Sequence, residues 1–265
     1  MRRLVIAGAL LVAAAAAHAQ PAPPPIATDR PDQTESAFLV PRGFVQLEFG
    51  GLHAADDAGA GSTLRALNVG NALLRMGVLE RVELRLGFVG WQRVSGDGLS
   101  AFNGFGDLAA GAKLRLVRGG GAVPTIALLG MVTLPVGDAA FRADGVDPFV
   151  KAAFAQDLGN GFGLGYNVGA IWTTETDGSG DERLRTDLAY SVAIGRGLTD
   201  RLAAFVEGYG VVGVSAGRAS WRALDGGFVF ALRPNVQLDL SGGVGLNEAA
   251  TDWFLSGGVS VRVPR

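Results

Sequence analysis

The chain has 265 residues, of which 41 are glycine, 48% are hydrophobic and 18% are charged, and its formal net charge is −2. This apolar content argues against a disordered chain, and the near-neutral charge gives a nucleic-acid partner no electrostatic support. Because the sequence contains no cysteine, it can form neither a disulfide nor a thiolate metal site.

The first residues have the pattern of an export signal. Arg2 and Arg3 precede an apolar stretch over 4–16, and residues 17–19 (AHA) fit a small-residue cleavage site. We therefore predict a signal peptide over 1–19 and a mature chain that begins at Gln20. The alternative, an uncleaved membrane anchor, is disfavoured because the apolar stretch is short for a span.

After the signal, the sequence divides into a short segment and a long region of alternating polarity. We predict a periplasmic N-terminal segment at 20–41, which is a linker with a possible plug, and an outer-membrane β-barrel at 42–265. In the second region Leu84 and Leu86 alternate with Glu83 and Arg85, and the same period of two recurs along the chain. Helical spacing would not keep one face apolar through such runs.

The alternation predicts about twelve strands of roughly 10–13 residues, close to the length that a tilted membrane strand needs. Their predicted bounds are 42–53, 63–76, 82–93, 104–117, 124–134, 148–158, 162–173, 183–195, 201–213, 219–232, 236–246 and 252–263. The connectors alternate between short and long along most of the chain, as periplasmic turns and extracellular loops do. We therefore predict an all-β fold, a single closed antiparallel transmembrane β-barrel with both termini periplasmic.

Tryptophan placement is an independent sign of a membrane barrel. All four tryptophans fall near the predicted extracellular ends of strands, where an aromatic rim would lie. They are Trp91, Trp172, Trp221 and Trp253.

The polar residues that alternate with the apolar face should line the interior. The predicted lumen-lining residues are Glu48, Arg65, Arg75, Glu83, Arg85, Asp107, Lys113, Arg115, Arg185, Asp187, Glu207 and Asp239. Both signs occur in similar numbers, so no strong ion filter is evident. Buried charges must be paired or hydrated, and two interpretations remain open: paired side chains fill the lumen, or they line a narrow wet passage.

The segment before the first strand carries four charges of its own. Residues 26–36 could enter the periplasmic mouth as a plug, with Asp29, Arg30, Asp32 and Glu35 meeting the lumen charges. The alternative is a mobile tail.

Catalysis and metal binding have little support in the sequence. His53 is the one histidine of the predicted mature chain, and only Ser62 and Ser95 are candidate loop neighbours for a Ser–His pair. We expect an ordinary rim histidine, no enzyme activity, no metal site and no cofactor.

Several stretches resemble bacterial outer-membrane proteins of the transporter family named for the MetA pathway of phenol degradation. They are residues 28–36 (TDRPDQTES), 40–43 (VPRG), 46–48 (QLE), 104–107 (GFGD), 111–113 (GAK), 133–137 (TLPVG) and 245–247 (GLN) with Asp252. The resemblance implies an outer-membrane barrel that handles aromatic compounds. One departure is the ending Val263-Pro264-Arg265, where such barrels commonly have an aromatic residue that helps assembly.

The sequence thus favours a passive channel for small hydrophobic or aromatic solutes in the bacterial outer membrane. Its expected partners are outer-membrane lipid, the barrel-assembly machinery and those solutes. The alternatives are a structural or adhesion-type barrel with a closed lumen and, less favoured, a barrel-wall lipid hydrolase.

Overall fold

The computed structural model describes residues 24–59 and 62–265, and the predicted signal peptide lies outside them. These residues form fifteen strands: β1 Phe44–Gly59, β2 Ser62–Val69, β3 Asn71–Leu79, β4 Val82–Phe88, β5 Trp91–Gly96, β6 Leu99–Phe105, β7 Leu108–Val117, β8 Thr125–Leu134, β9 Asp147–Gly159, β10 Phe162–Thr176, β11 Glu182–Gly197, β12 Leu202–Gly213, β13 Trp221–Arg233, β14 Val236–Gly245 and β15 Trp253–Pro264. Within the described part of the chain, no helix is long and apolar enough to cross a membrane.

The strands form one sheet that closes on itself. Every strand pairs antiparallel with its neighbours, and β15 returns to pair with β1 from Phe44↔Pro264 to Asp56↔Trp253. β2 with β3, β4 with β5, and β6 with β7 are halves of single strands, so the barrel has twelve. The predicted closed twelve-strand barrel is confirmed.

Three adjacent barrel strands are interrupted at one level of the wall, at Gly70, at 89–90 and at 106–107. Gly70 and Gly90 have φ of +76° and +89°, in the left-handed region that glycine tolerates. A Cβ on Gly90 would lie 2.6 Å from the backbone of Val69, so the two strands can meet here only without a side chain. Backbone hydrogen bonds close the wall at this level, including Gly106 N to Gly90 O at 2.9 Å.

The two faces of the barrel have opposite polarity. Leu84 and Leu86 are 42% and 48% exposed on the outside, whereas Glu83 and Arg85 between them are buried inside. The interior is therefore the polar side and the exterior the apolar side, the arrangement that lipid requires.

The start of β1 and the end of β15 lie together at the short-turn end of the barrel, because Phe44 pairs with Pro264. Strand bounds differ most from the prediction at the opposite, long-loop end, where β1 runs to Gly59 rather than to residue 53. There β1 pairs with β2 through backbone hydrogen bonds, which form whatever the side chains are. The extension of β1 therefore leaves no alternation of polar and apolar residues in the sequence.

Candidate functional site: a charged plug inside the barrel

Residues 26–36, called here the plug segment, lie inside the barrel and contact its inner wall through polar groups on several strands. Just after the segment, Ala37 is fully buried against Ala127 and Ala153, so small side chains on β8 and β9 make room for the chain to pass.

Asp29 is the centre of the plug's ionic contacts. Its Oδ2 lies 2.8 Å from Arg85 Nη1 and 3.3 Å from Arg75 Nη1, and its Oδ1 lies 3.1 Å from Lys113 Nζ. Burial raises the pKa of the Asp29 carboxyl, but the positive charges of Arg75, Lys113 and Arg85 outweigh this and hold it well below 3.8. Asp29 is therefore an anion that three wall cations neutralise.

The wall supplies its own carboxylates to the same cluster. Arg75 Nη1 lies 2.8 Å from Glu48 Oε1, and Arg75 Nε lies 2.7 Å from Glu83 Oε1. Glu48 also accepts hydrogen bonds from the Asp29 and Arg30 backbone N–H groups at 2.9 and 3.0 Å. These contacts satisfy the charges that would otherwise be costly to bury.

The far wall holds the tip of the plug segment. Thr34 Oγ1 donates to Glu207 and lies 2.8 Å from Ser191 Oγ, while the Gln33 backbone N–H donates to Glu207 Oε2 at 2.7 Å. The Glu35 backbone N–H donates to Asn167 Oδ1 at 2.7 Å. The segment therefore crosses the lumen and is bonded on both sides.

Arg30 and Glu35 complete the set of predicted plug charges. Arg30 Nη2 lies 3.0 Å from Asp239 Oδ1, and Glu35 Oε2 lies 3.0 Å from Arg85 Nη2. Three of the four predicted plug charges thus form ion pairs with wall residues.

Asp32, the fourth, borders open space on both sides of the plug segment. It lines a cavity of about 520 Å³ toward the short turns and another of about 510 Å³ toward the long loops. Burial and, next, the negative charge of Glu207 raise the pKa of Asp32 well above 3.8. Asp32 marks the level at which the segment separates the two ends of the lumen.

The walls of the space above the plug combine aromatic rings and amide groups with charged side chains, among them Arg93 and Lys151. His53 and Phe254 stack with ring centroids 5.3 Å apart, and Tyr209 meets Trp221 edge-on at 5.8 Å. Three cavities lie on this side, and Gln33 lines all of them. The rings of both aromatic pairs also belong to their linings. Stacked rings beside amide groups suit small molecules with an apolar body and a polar edge.

Eleven of the twelve predicted lumen residues lie in the lumen or at its two ends. Seven lie inside and form the plug contacts or the ionic cluster around them: Glu48, Arg75, Glu83, Arg85, Lys113, Glu207 and Asp239. Asp107 and Asp187 are buried near the long loops, where Asp107 accepts from the Gly137 and Ala143 backbones and Asp187 pairs with Arg218. Arg185 pairs with Glu175 at the same end, and Arg115 lies at the short-turn mouth.

Two expectations need correction. Arg65 is not in the lumen: its side chain is 64% exposed on the outer face beside Asp56, because β2 puts Ala66 and Asn68 on the inner face. Trp221 does not belong to an outer aromatic rim, since it lies on the inner face with Ala223 and packs on Tyr209. All four tryptophans do lie toward the long-loop end, as the strand bounds show.

Sequence reasoning missed the uncharged contacts of the plug. Thr34, Ser191 and Asn167 are buried and bonded to one another or to the plug backbone. The available signal was the uncharged polar residues at inward positions of β10 and β11. The predicted lumen residues were all charged, so these were left out.

His53 offers no Ser–His pair here. Within the described residues it has a stacking contact to Phe254, and nearby Ser256 is bonded to Arg30. The described residues also contain no group of three His, Cys, Asp or Glu side chains that could hold a metal ion.

Comparisons with known proteins agree with the fold. A family model described as "Putative MetA-pathway of phenol degradation" matches residues 28–263. No curated protein matches the sequence.

Among solved structures, the chain is similar to the COG4313 outer membrane channel from Pseudomonas putida F1, at 17% identity and a TM-score of 0.65, over 84% of this chain and 97% of that one. It is also similar to the translocator domain of autotransporter NalP from Neisseria meningitidis, at 10% identity and a TM-score of 0.57, over 84% and 90% of the two chains. The NanC porin is similar at 8% identity and a TM-score of 0.55, over 83% and 100%. At these identities the likeness shows a shared fold, that of outer-membrane barrels.

Proposed function

The chain belongs to the family described by the MetA pathway of phenol degradation, and we propose that it is a passive outer-membrane channel for small hydrophobic or aromatic molecules. The observation that carries this proposal is the position of Asp32, which borders a cavity on each side of the plug segment. One segment thus stands between two open ends. Hydrogen bonds hold its tip and can be exchanged for water at a modest net cost, while ion pairs of Asp29 anchor its other end.

Two observations support an aromatic solute: the description of the family and the side chains that line the cavities above the plug. The family description names phenol, and the cavities above the plug contain the ring pairs His53–Phe254 and Tyr209–Trp221. Rings of this kind stack on aromatic solutes, while Gln33 can exchange hydrogen bonds with a hydroxyl.

Solute flux through the folded protein in liposomes tests the proposal. Phenol-like aromatics are compared with sugars of similar size, and empty liposomes set the reference because small phenols cross lipid unaided. A heat-dependent gel shift confirms folding. We expect protein-dependent flux that favours the aromatics and that increases when residues 26–36 are deleted.

The second candidate is a structural barrel with a closed lumen. The observation that favours it is the burial of Asp29 among three cations, which makes the plug costly to move. Absence of flux from folded protein, with or without residues 26–36, would support this candidate and exclude the channel. Lipid hydrolysis that is lost in His53→Ala would instead support a hydrolase.

Export and assembly belong to the same proposal. We propose that residues 1–19 are removed during export, that lipid surrounds the apolar outer face, and that the barrel-assembly machinery inserts the chain. N-terminal sequencing of protein from outer membranes should begin at Gln20, and a start at Met1 would contradict cleavage. Depletion of the assembly machinery should reduce the folded, heat-shifted form.

A further inference from the structure

A separate pocket lies at the short-turn mouth, below the plug segment. It has a volume of about 750 Å³ and lies between the N-terminal segment and the inner faces of β1, β7 and β15. Ile26, Phe38 and Val40 form part of its apolar side. The charged residues of its lining are Arg42, Arg115, Arg118, Arg262 and Glu80.

Arg262 is the most enclosed of these charges, with only 3% of its surface exposed. Its Nη1 donates to Pro25 O at 3.3 Å, its Nη2 donates to Pro24 O, and its guanidinium lies 5.6 Å from the ring centroid of Phe44. Its Nε has no hydrogen-bond partner, and among residues 24–59 and 62–265 no carboxylate lies within ion-pair distance of it. A buried guanidinium without a counter-ion is costly, so the site favours an anion from outside the chain.

The other arginines of the pocket share this lack of a counter-ion. In the described part of the chain, none of Arg42, Arg115 and Arg118 forms an ion pair, and Arg115 Nη2 donates to the backbone carbonyl of Glu80 rather than to its carboxylate. By contrast, Arg75, Arg85 and Lys113 in the lumen are all ion-paired. The lining of this pocket therefore has an excess of positive charge, with four arginines and one carboxylate.

We infer that this pocket binds aromatic carboxylates. A carboxylate fits the fork of a guanidinium through two parallel hydrogen bonds, and an aromatic body can pack against Phe38 and Ile26 or stack on an arginine. The volume lies within the range of small-molecule sites. The lining belongs to the N-terminal segment and the inner wall, so the ligand is a free solute and not a lipid of the surrounding leaflet.

Equilibrium dialysis of labelled benzoate against the folded full-length barrel in a neutral detergent at pH 7 tests the inference. We expect saturable binding that unlabelled benzoate displaces and that benzyl alcohol, a neutral molecule of similar size, does not. The double variant Arg115→Gln, Arg118→Gln should weaken binding by about tenfold or more, as loss of charge-assisted hydrogen bonds implies. The matched control Arg196→Gln, Arg201→Gln removes two arginines that do not line the pocket and should bind as the natural protein does.

Three results would overturn the inference: no saturable benzoate binding, equal displacement by benzyl alcohol, or an unchanged affinity in the double variant. Nanodiscs test whether a lipid headgroup, and not a free carboxylate, occupies the pocket. Benzoate binding that persists in phosphatidylcholine discs supports a free carboxylate. The opposite outcome is that phosphatidylglycerol associates with the protein, that this association depends on Arg115 and Arg118, and that benzoate does not bind. This result would assign the site to a lipid headgroup and contradict the inference. Binding is measured without transport, so its failure is distinguishable from failure of the channel proposal.

Discussion

Asp29 of the plug segment lies 2.8 Å from Arg85 of the barrel wall, and both side chains are almost completely buried. The pair joins a stretch without regular structure to β4 in the middle of the lumen. Removing one partner of a buried pair leaves the other charge uncompensated, which is usually more costly than the pair itself is stabilising. The relationship therefore makes docking of the plug sensitive to single substitutions.

Asp29→Asn should release the plug segment and lower the stability of the protein. It removes the charge that Arg75, Arg85 and Lys113 share, and loss of one partner in such a cluster costs about 3 kcal/mol. Urea unfolding in lipid vesicles measures the stability, and planar-bilayer recording measures the conductance, which should rise.

Asp32→Asn is the matched control for that variant. The pKa of Asp32 is raised, because burial and Glu207 disfavour its charged form, so a neutral amide replaces it at small cost. We expect little change in stability. Equal destabilisation by the two variants would contradict the assignment of Asp29 as the ionic centre of the plug.

Plug docking should weaken when a rising pH ionises Asp32. Asp32 has a raised pKa in the folded protein, so its contribution is fully present below 3.8 and is lost as the pH rises through the folded-state value. Asp29 has a lowered pKa, so its contribution is present above 3.8 and is lost only at still lower pH. Conductance, recorded while the pH is raised stepwise from about 4, should therefore increase as Asp32 ionises.

The variant Asp32→Asn isolates the group responsible for this dependence. Glu207 and Asp225 face Asp32 and remain in the variant, so only the difference between the two proteins reports on Asp32. We expect the variant to show a flatter pH profile. An unchanged profile would assign the dependence to other groups.

Leu240→Arg should destabilise the barrel by about 2–4 kcal/mol, as an arginine on the lipid face near the membrane midplane does. Leu240 is 52% exposed on the outer face of β14. Leu246→Arg makes the same substitution in the long loop after β14 and should cost about 0–1 kcal/mol. Urea unfolding in vesicles compares the two, and equal costs would contradict the lipid-facing assignment of Leu240.

The strand pattern was predictable because lipid forces an apolar outer face and the lumen tolerates charge. The sequence shows the two faces directly where Glu83 and Arg85 alternate with Leu84 and Leu86. In the structure the two charged residues lie inside the barrel and the two leucines outside. The alternation is lost near Arg65, beyond the membrane, where no solvent difference distinguishes the faces. Trp221 was misassigned for a related reason, since an aromatic ring suits both a lipid interface and a wide, partly apolar lumen.

The path of the plug segment was not predictable in detail. Its charges indicated that it could meet the lumen charges, but the partner of each one depends on which wall residues the closed barrel brings to the same height. Asp29 contacts residues of β3, β4 and β7 that lie far along the chain from it, Lys113 by 84 positions, and these surround it only after the sheet has formed.

The central claim is that the plug segment controls passage through the barrel, and a reversible cross-link tests it most directly. Thr34 Oγ1 and Ser191 Oγ lie 2.8 Å apart, so cysteines at both positions bring two sulfur atoms close together, and oxidation can join them in a disulfide. The natural chain has no other cysteine to interfere. We predict that aromatic flux into liposomes falls when Thr34→Cys, Ser191→Cys is oxidised and returns on reduction, while each single variant is insensitive to both treatments. Flux that is the same in the oxidised and reduced states of the double variant would contradict the claim.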